Sequence, residues 1–554
     1  MRKGDIVEGI VEEVSFPNKG RLCVDGETVI VKNGIPGQKV RLMISKKRSG
    51  RYEGRILEVT EKSALETREK ACGIFPDCGG CTYQTMGYDA QLDMKYTQVQ
   101  KLLSPVLEEY GKLDASEIRN VFCGITGSPD ITGYRNKMEY TFGDAYKDGP
   151  LTLGLHKKGS GYDILTAGDC AIVHDDINKI VNCVLDYCTE TQLPYFHKIT
   201  HIGFWRHLLV RRAVSTGEII VAIVTTTQED HDLGELAKRI LELPLEGKIA
   251  GILHMENDSV ADVVKSDKTE ILFGQDYFYE KLLGLSFKIT PFSFFQTNTK
   301  GAEILYTAAR EMIGDIDNAT VFDLYSGTGT IAQVISPSAG KVIGIEIIEE
   351  AVLAARENAK LNGINNCEFY AGDVLKMLDE IEVRPDFIIL DPPREGIHPK
   401  ALKKIIDYGV ERIVYISCKP TSLAKDLEML LGNGYKVEKI KCVDMFPNTV
   451  HVETVVLLSK GVINSQKVKV DFSLEDMDIT SFRGKATYEQ IKEYVLQQTG
   501  MKVSSLYISQ VKRKCGLEVG DSYNKPKTEE AKQPQCPPEK EAAIMDALKH
   551  FGLI

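Results

Sequence analysis

Residues 320–332 read TVFDLYSGTGTIA, an apolar run that breaks into a turn at Gly327 and Gly329 and then resumes with apolar residues. Two glycines one residue apart let the backbone turn tightly and approach a ligand closely, as happens where the first strand of a nucleotide-binding fold meets its helix. The same rhythm continues downstream. KVIGIE (341–346), CEFYAGD (367–373), FIILD (387–391) and RIVYISC (412–418) are short apolar runs, with amphipathic stretches such as EEAVLAARENAKLNG (349–363) between them. This regular alternation over residues 291–460 predicts a doubly wound, Rossmann-like parallel α/β domain whose ligand crevice lies at the carboxyl ends of its strands.

The polar residues at those strand ends narrow the chemistry. Glu346 closes the second strand, where a carboxylate meets ribose hydroxyls. Taken literally, Gly327 to Ala332 also fits the dinucleotide pattern G-x-G-x-x-A, so an NAD-dependent oxidoreductase is one reading. Asp323 inside the first strand favours S-adenosylmethionine instead, because that ligand is cationic and has no pyrophosphate. Asp373, closing the third strand, stands where such folds hold adenine. The fourth strand ends in Asp391-Pro392-Pro393-Arg394 and the fifth in Ser417-Cys418-Lys419-Pro420. A buried cysteine is ordinarily a small apolar core residue. Cys418, however, opens a strand-to-helix turn on the side of the cofactor loop, and that context marks it as a nucleophile.

FDLYSGTGTIA (322–332), DPPREG (391–396), ISCKPTSLAKDL (416–427) and HVETVVLL (451–458), in this order, resemble the RNA uracil-5-methyltransferase family. The resemblance covers roughly residues 1–460 and is closest to the iron–sulfur-containing 23S rRNA enzymes with a TRAM domain. It implies that Cys418 adds to uracil and that Glu453 is the base. PFSFFQTN (291–298) resembles the segment that opens the family's catalytic domain, so Gln296 inherits a cofactor contact, as do Tyr325, Glu346 and Asp391. Lys419 stands where the family more often has Asn, which leaves the orientation of the thiolate open. The chemistry explains the residue types. Uracil C5 is too weakly nucleophilic to attack a sulfonium methyl, but thiolate addition at C6 makes an enolate whose C5 is strongly nucleophilic. The C5 proton must then leave, which calls for a base. A target uracil within folded RNA has to be flipped or already unpaired to reach the crevice.

Cys72, Cys78 and Cys81 are spaced C-x5-C-x2-C around Gly79 and Gly80, a pattern that invites a fourth ligand. Spacing alone makes zinc the default, while an all-thiolate set completed by a distant cysteine also suits iron–sulfur ligation. The family resemblance implies a [4Fe-4S] cluster with Cys170, in TAGDC, as the fourth ligand. Nearby, GYRNKMEYTF (133–142) offers Arg135, Lys137 and Tyr140 for phosphate contact and base stacking.

Around this core the 554 residues divide into four parts. Residues 1–60 alternate apolar and polar positions in short runs, predicting a small OB-like β-barrel, which the resemblance makes an RNA-binding TRAM domain. Residues 61–290 predict a central, mostly β domain with the cysteine site. The methyltransferase domain occupies 291–460, and 461–554 predict a small helical extension of three helices. The net charge of −11 is unevenly spread: residues 1–60 carry +4, including Lys46, Lys47, Arg48, Arg51 and Arg55, so an acidic body coexists with a basic N-terminal module compatible with RNA. No apolar run approaches the roughly 18 residues of a membrane span, and the N-terminus lacks the apolar region of a secretory signal, so a cytoplasmic location is expected. The expected partner is structured RNA, 23S rRNA ahead of tRNA. The competing reading is a non-catalytic iron–sulfur RNA-binding regulator. The extension is expected to contact nucleic acid or the ribosome, with Lys512, Arg513 and Lys514 ending its second helix.

Overall fold

The computed structural model describes residues 1–460 except 49, 262 and 315, and beyond them 488–499, 501, 503–515 and 536–550. The chain divides into two units, 1–463 and 464–554.

In the first unit the N-terminal alternation becomes a six-stranded sheet, ordered Ile6–Ile10, Lys39–Arg48, Arg51–Glu61, Glu27–Lys32, Lys19–Val24, Glu13–Ser15. Its inward positions, among them Val11, Leu22, Val29, Val31, Val40, Leu42 and Ile44, make a core of their own. Lys46 pairs in register with Glu53 and Lys47 with Tyr52 near the tip of the hairpin formed by its two longest strands, while Arg51 and Arg55 are exposed.

The central region holds a seven-stranded sheet, ordered Ile164–Thr166, Leu151–His156, Lys137–Asp144, Trp205–Arg212, Glu218–Thr225, Lys248–Glu256, Lys268–Gly274. Trp205–Arg212 and Glu218–Thr225 are buried along nearly their whole length, as strands covered on both faces must be. One face packs against the helices Asp175–Thr191 and Gly234–Leu241 through Ile177, Val181, Leu236 and Ile240. The other face, with Leu209, Ala222 and Val224, shares a core with Phe287, Leu305 and Val414 of the following region. That shared core makes the central and catalytic regions one body.

The third sheet has eight strands: Cys367–Ala371, Ala339–Glu346, Ile316–Leu324, Phe387–Leu390, Arg412–Ser417, Glu453–Lys460, Tyr435–Val443, Phe122–Thr126. The first five are parallel, and Glu453–Lys460 runs antiparallel to both of its neighbours. The edge strand Phe122–Thr126 comes from the part of the chain that sequence reading assigned to the central domain. With it comes the helix Tyr88–Glu109, whose Val99, Leu103, Val106 and Leu107 pack in one core with Leu423, Leu427 and Val456. The sheet face beside the helix Pro420–Gly432 needs an apolar cover, and a helix that precedes the seven-stranded sheet in the chain supplies it. Residues 88–126 therefore pack with the catalytic sheet.

In the second unit, helices Tyr488–Thr499, Ser505–Lys514 and Pro538–His550 surround Ile491, Val495, Ile508, Val511, Ile544 and Leu548. Gly500, Lys502 and most of the Lys/Pro/Gln-rich connector lie outside the described residues. Among the described residues no helix is long and apolar enough to cross a membrane.

Candidate active site

The strand Ile316–Leu324 leads directly into the glycine turn. Tyr325 takes a left-handed conformation (φ 68°), as do Gly327 (53°) and Gly329 (71°). A Cβ on Gly329 would lie 2.6 Å from the Phe369 ring, so this position admits only glycine. The turn's backbone is held by Glu346, whose carboxylate accepts the N–H groups of Gly327 and Ile348, both at 3.0 Å. Asp323 is fully buried; its Oδ2 accepts Ala332 N–H at 3.0 Å, while its Oδ1 has no hydrogen-bond partner among the described residues. Burial, reinforced by the negative field of Asp391, pushes its carboxyl up to about 8. Asp373 is exposed at the start of the helix Val374–Glu380 without bonding that helix's N–H groups. Carboxyl groups at the ends of the first, second and fourth strands offer acceptors to a cation, whose arrival favours their ionised forms, and offer no positive charge to a pyrophosphate. The orphaned Asp323 oxygen is a ready acceptor, and the set fits S-adenosylmethionine better than NAD.

Gln296 lies on a segment built from the central region. Arg211, 1% exposed, donates to the carbonyls of Thr290 (2.8 Å) and Ser293 (2.7 Å), and Asn136 Nδ2 donates to Gln296 O at 3.0 Å. The Gln296 side chain bonds the hydroxyl of Tyr306 on the helix Thr299–Ile313.

Cys418 follows the last residue of Arg412–Ser417 and precedes a helix that starts at Pro420, so its thiol is presented at a strand end, partly buried. Glu453, buried, begins the neighbouring antiparallel strand. Asp391 follows Phe387–Leu390 on the other side. These three groups share one desolvated site. Burial first, then the fields of Glu453 and Asp391, push the Cys418 thiol up to about 11, while Arg394 pulls it down. Burial and Asp391 push Glu453 up to about 8, again opposed by Arg394. Burial alone pushes Asp391 up to about 7. In such a site neutral forms dominate until a charged ligand or partner arrives.

Three residues in this site had no role from sequence. Tyr306 is buried, and its hydroxyl senses Asp391, Asp323 and Glu453; nothing in the helical pattern around it marks it out. Arg394, exposed, biases both Cys418 and Glu453, and its place in DPPREG was the one available signal. His451 is pushed down to about 4 by burial and by the cations Arg394, Lys95 and Arg135, so it is neutral at physiological pH.

Cys72, Cys78, Cys81 and Cys170 are all buried and free of disulfides, and the thiol of Cys170 senses the other three. Gly80 N–H donates to Cys78 Sγ and Gln84 Nε2 to Cys72 Sγ, both at 3.3 Å. Among the described residues no group of three or more His, Cys, Asp or Glu side chains stands close enough to hold a single metal ion. The basic and aromatic stretch departs from expectation. Tyr140 is fully buried, packed into the core of the central sheet. Its strand turns that side chain inward, so it offers no stacking surface. Lys137 is paired with Glu139 at 2.9 Å, and Arg135 is partly buried.

Residues 245–461 match the family model described as tRNA (Uracil-5-)-methyltransferase. The chain is 49% identical to an uncharacterized RNA methyltransferase of Clostridium tetani, over 83% of this chain and 99% of that protein. It is 47% identical to one of Caldanaerobacter subterraneus subsp. tengcongensis, over 83% and 100%. Among solved structures it resembles the tRNA (uracil-54, C5)-methyltransferase of Pyrococcus abyssi in complex with S-adenosyl-L-homocysteine. That likeness has a TM-score of 0.63 at 25% identity, covering 82% of this chain and 100% of the other. A cysteine and a carboxyl group at facing strand ends, a carboxylate-lined glycine turn and these likenesses converge: the chain belongs to the RNA uracil-5-methyltransferase family.

Proposed function

We propose that this enzyme methylates uracil C5 in 23S rRNA through a covalent bond between Cys418 and uracil C6. The convergence of the Cys418, Glu453 and Asp391 side chains beside the glycine turn carries the reading. The Cys418 thiol gives up its proton and its sulfur forms the bond to C6, moving electron density onto C5. Arg394 favours the thiolate, whose proton passes to water, and opposes the burial that would keep Glu453 protonated, so that Glu453 enters the later step as the carboxylate. When bound, S-adenosylmethionine supplies the methyl group as an electrophilic sulfonium. Asp323, Glu346 and Asp373 would hold that donor, with Tyr325, Gly327, Gln296 and Asp391 lining the same crevice. Glu453 then takes the proton from C5, the Sγ–C6 bond breaks, and the thiolate leaves. A carboxylate whose proton affinity burial has raised is a stronger base for that step.

The four thiols are proposed as ligands of a [4Fe-4S] cluster. Burial, the all-thiolate set and the N–H donors to two sulfurs support this. The N-terminal sheet is proposed as the RNA-binding TRAM barrel, acting through the basic hairpin end.

The 23S rRNA substrate is carried by the resemblance of the motifs together with the cysteine set and the N-terminal sheet. The structural likeness to a tRNA enzyme, along that enzyme's whole length, favours tRNA as the second reading. Incubating the protein with labelled donor and unmodified 23S rRNA or tRNA transcripts, then mapping 5-methyluridine, tests both. Absence of methyl transfer to either RNA refutes the proposal.

A further inference from the structure

Glu453 is delivered to the site by the loop that spans residues 444–452, between the strands Tyr435–Val443 and Glu453–Lys460. The middle of that loop is Asn448, fully buried, with a left-handed backbone (φ 66°) that asparagine tolerates better than most residues. Its carbonyl accepts the N–H groups of Thr82 (2.8 Å) and Tyr83 (2.9 Å), the two residues directly after Cys81. Its own N–H donates to Gln91 Oε1 at 2.9 Å. Its side-chain Oδ1 accepts from Gln91 Nε2 (3.1 Å) and Arg68 Nη1 (3.2 Å), and its Nδ2 donates to Ile131 O at 2.9 Å.

One residue therefore ties the cysteine loop, the helix Tyr88–Glu109 and the 131–136 segment to the loop that carries Glu453. Two neighbours strengthen the same link. Lys95, fully buried, donates to Asp444 Oδ1 at 2.6 Å and to Phe446 O at 3.1 Å, and Tyr134 OH donates to Pro447 O at 2.9 Å. A base must be held to within a fraction of an ångström of the proton it takes, and groups locked by buried hydrogen bonds hold it best. A displacement of the cysteine loop is passed through Asn448 to a carboxylate five residues away.

We propose that Asn448 is a positioning residue for Glu453, through which the loop bearing Cys72, Cys78 and Cys81 controls removal of the C5 proton. This rests on the reading of Glu453 as the base. The group held by the thiols then has a geometric role in a reaction that needs no electron: it sets the rate of product release and leaves methyl transfer untouched.

The test uses the full chain and an unmodified RNA transcript that the wild-type protein methylates. Asn448→Gly keeps the left-handed backbone and the carbonyl that accepts from Thr82 and Tyr83, but removes the side-chain ties to Gln91 Nε2, Arg68 and Ile131. Rapid-quench measurement should show methyl transfer in the first turnover at the wild-type rate. Release should be slowed about ten- to a hundredfold, the penalty of a misplaced group, and methylated RNA should accumulate covalently on the protein. Iron content should be unchanged, and amide exchange across residues 446–453 should be faster than in wild type. Arg68→Ala, at a partly buried position, should show the same split more weakly if Asn448→Gly does not fold. Equal slowing of transfer and release, or unchanged release despite faster exchange, overturns the proposal. Failure of the functional reading is separate: there the wild-type protein itself forms no methylated adduct.

Discussion

Ser417 pairs with Thr454 across the antiparallel strands Arg412–Ser417 and Glu453–Lys460, the last pair of their register, so Cys418 directly after Ser417 and Glu453 directly before Thr454 lie at the same end of the two strands. The thiol proposed as nucleophile and the carboxyl proposed as base thus lie at adjoining strand ends, 35 positions apart in the chain. A register slip of one residue would turn each side chain to the other face of the sheet. The arrangement leads to the following expectations.

Cys418→Ala should abolish covalent capture of RNA containing 5-fluorouridine in the presence of S-adenosylmethionine, because fluorine cannot leave as a cation and the wild-type reaction stalls as an adduct. Denaturing electrophoresis reads the shifted band. Methylation by the alanine variant at the wild-type rate would show that another group is the nucleophile.

Glu453→Gln should lower turnover by about 10²- to 10⁴-fold, the usual contribution of a positioned base. Methylated RNA should remain attached to the protein. Slow turnover with no trapped adduct would assign Glu453 to binding.

Burial raises the carboxyl groups of Asp323 and Glu453 to about 8 in the folded protein. The folded state therefore binds more protons than the unfolded state between their ordinary range near 4 and about 8, and stability is lost as pH rises through that window. The melting temperature of the ligand-free protein should fall between pH 5 and about 8.5. In Asp323→Asn or Glu453→Gln the fall should be smaller, so these variants should melt above wild type at the alkaline end. Identical pH slopes in wild type and variants would contradict the buried state of these groups.

Asp323→Asn should weaken S-adenosylmethionine binding by about ten- to a hundredfold, the value of one charge-assisted hydrogen bond. Titration calorimetry measures it directly, and S-adenosylhomocysteine, which lacks the sulfonium charge, should lose less. Equal losses for both ligands would show that the carboxylate does not sense the cation.

Anaerobically purified protein should carry about four irons and inorganic sulfide, as a cubane on four thiolates requires, and Cys170→Ala should lose most of the iron. Stoichiometric zinc without sulfide would identify a different metal site.

The alternation of apolar runs, the glycine turn and the residues at strand ends were legible in the sequence because each depends on local rules: strand period, helix period, and the left-handed backbone that Gly327 and Gly329 permit. Those rules sufficed to bring Asp323, Glu346, Asp391 and Cys418 to one edge of a parallel sheet, since every strand of such a sheet ends on the same side. What lay beyond them is long-range. That Phe122–Thr126 completes the catalytic sheet beside Tyr435–Val443 is decided by which apolar faces remain to be covered, across more than 300 residues. Tyr140 read as an aromatic for base stacking and is core, because which face of its strand is buried depends on the helices packed on it. Tyr306 and Asn448 carry no local signature, and His451 had none beyond its place in HVETVVLL: their surroundings come from segments remote in the chain, and a buried hydrogen bond between distant residues leaves no period in the sequence. Local chemistry determined the layout of the catalytic domain, and tertiary packing decided which groups surround the thiol and what holds its partner carboxylate in place.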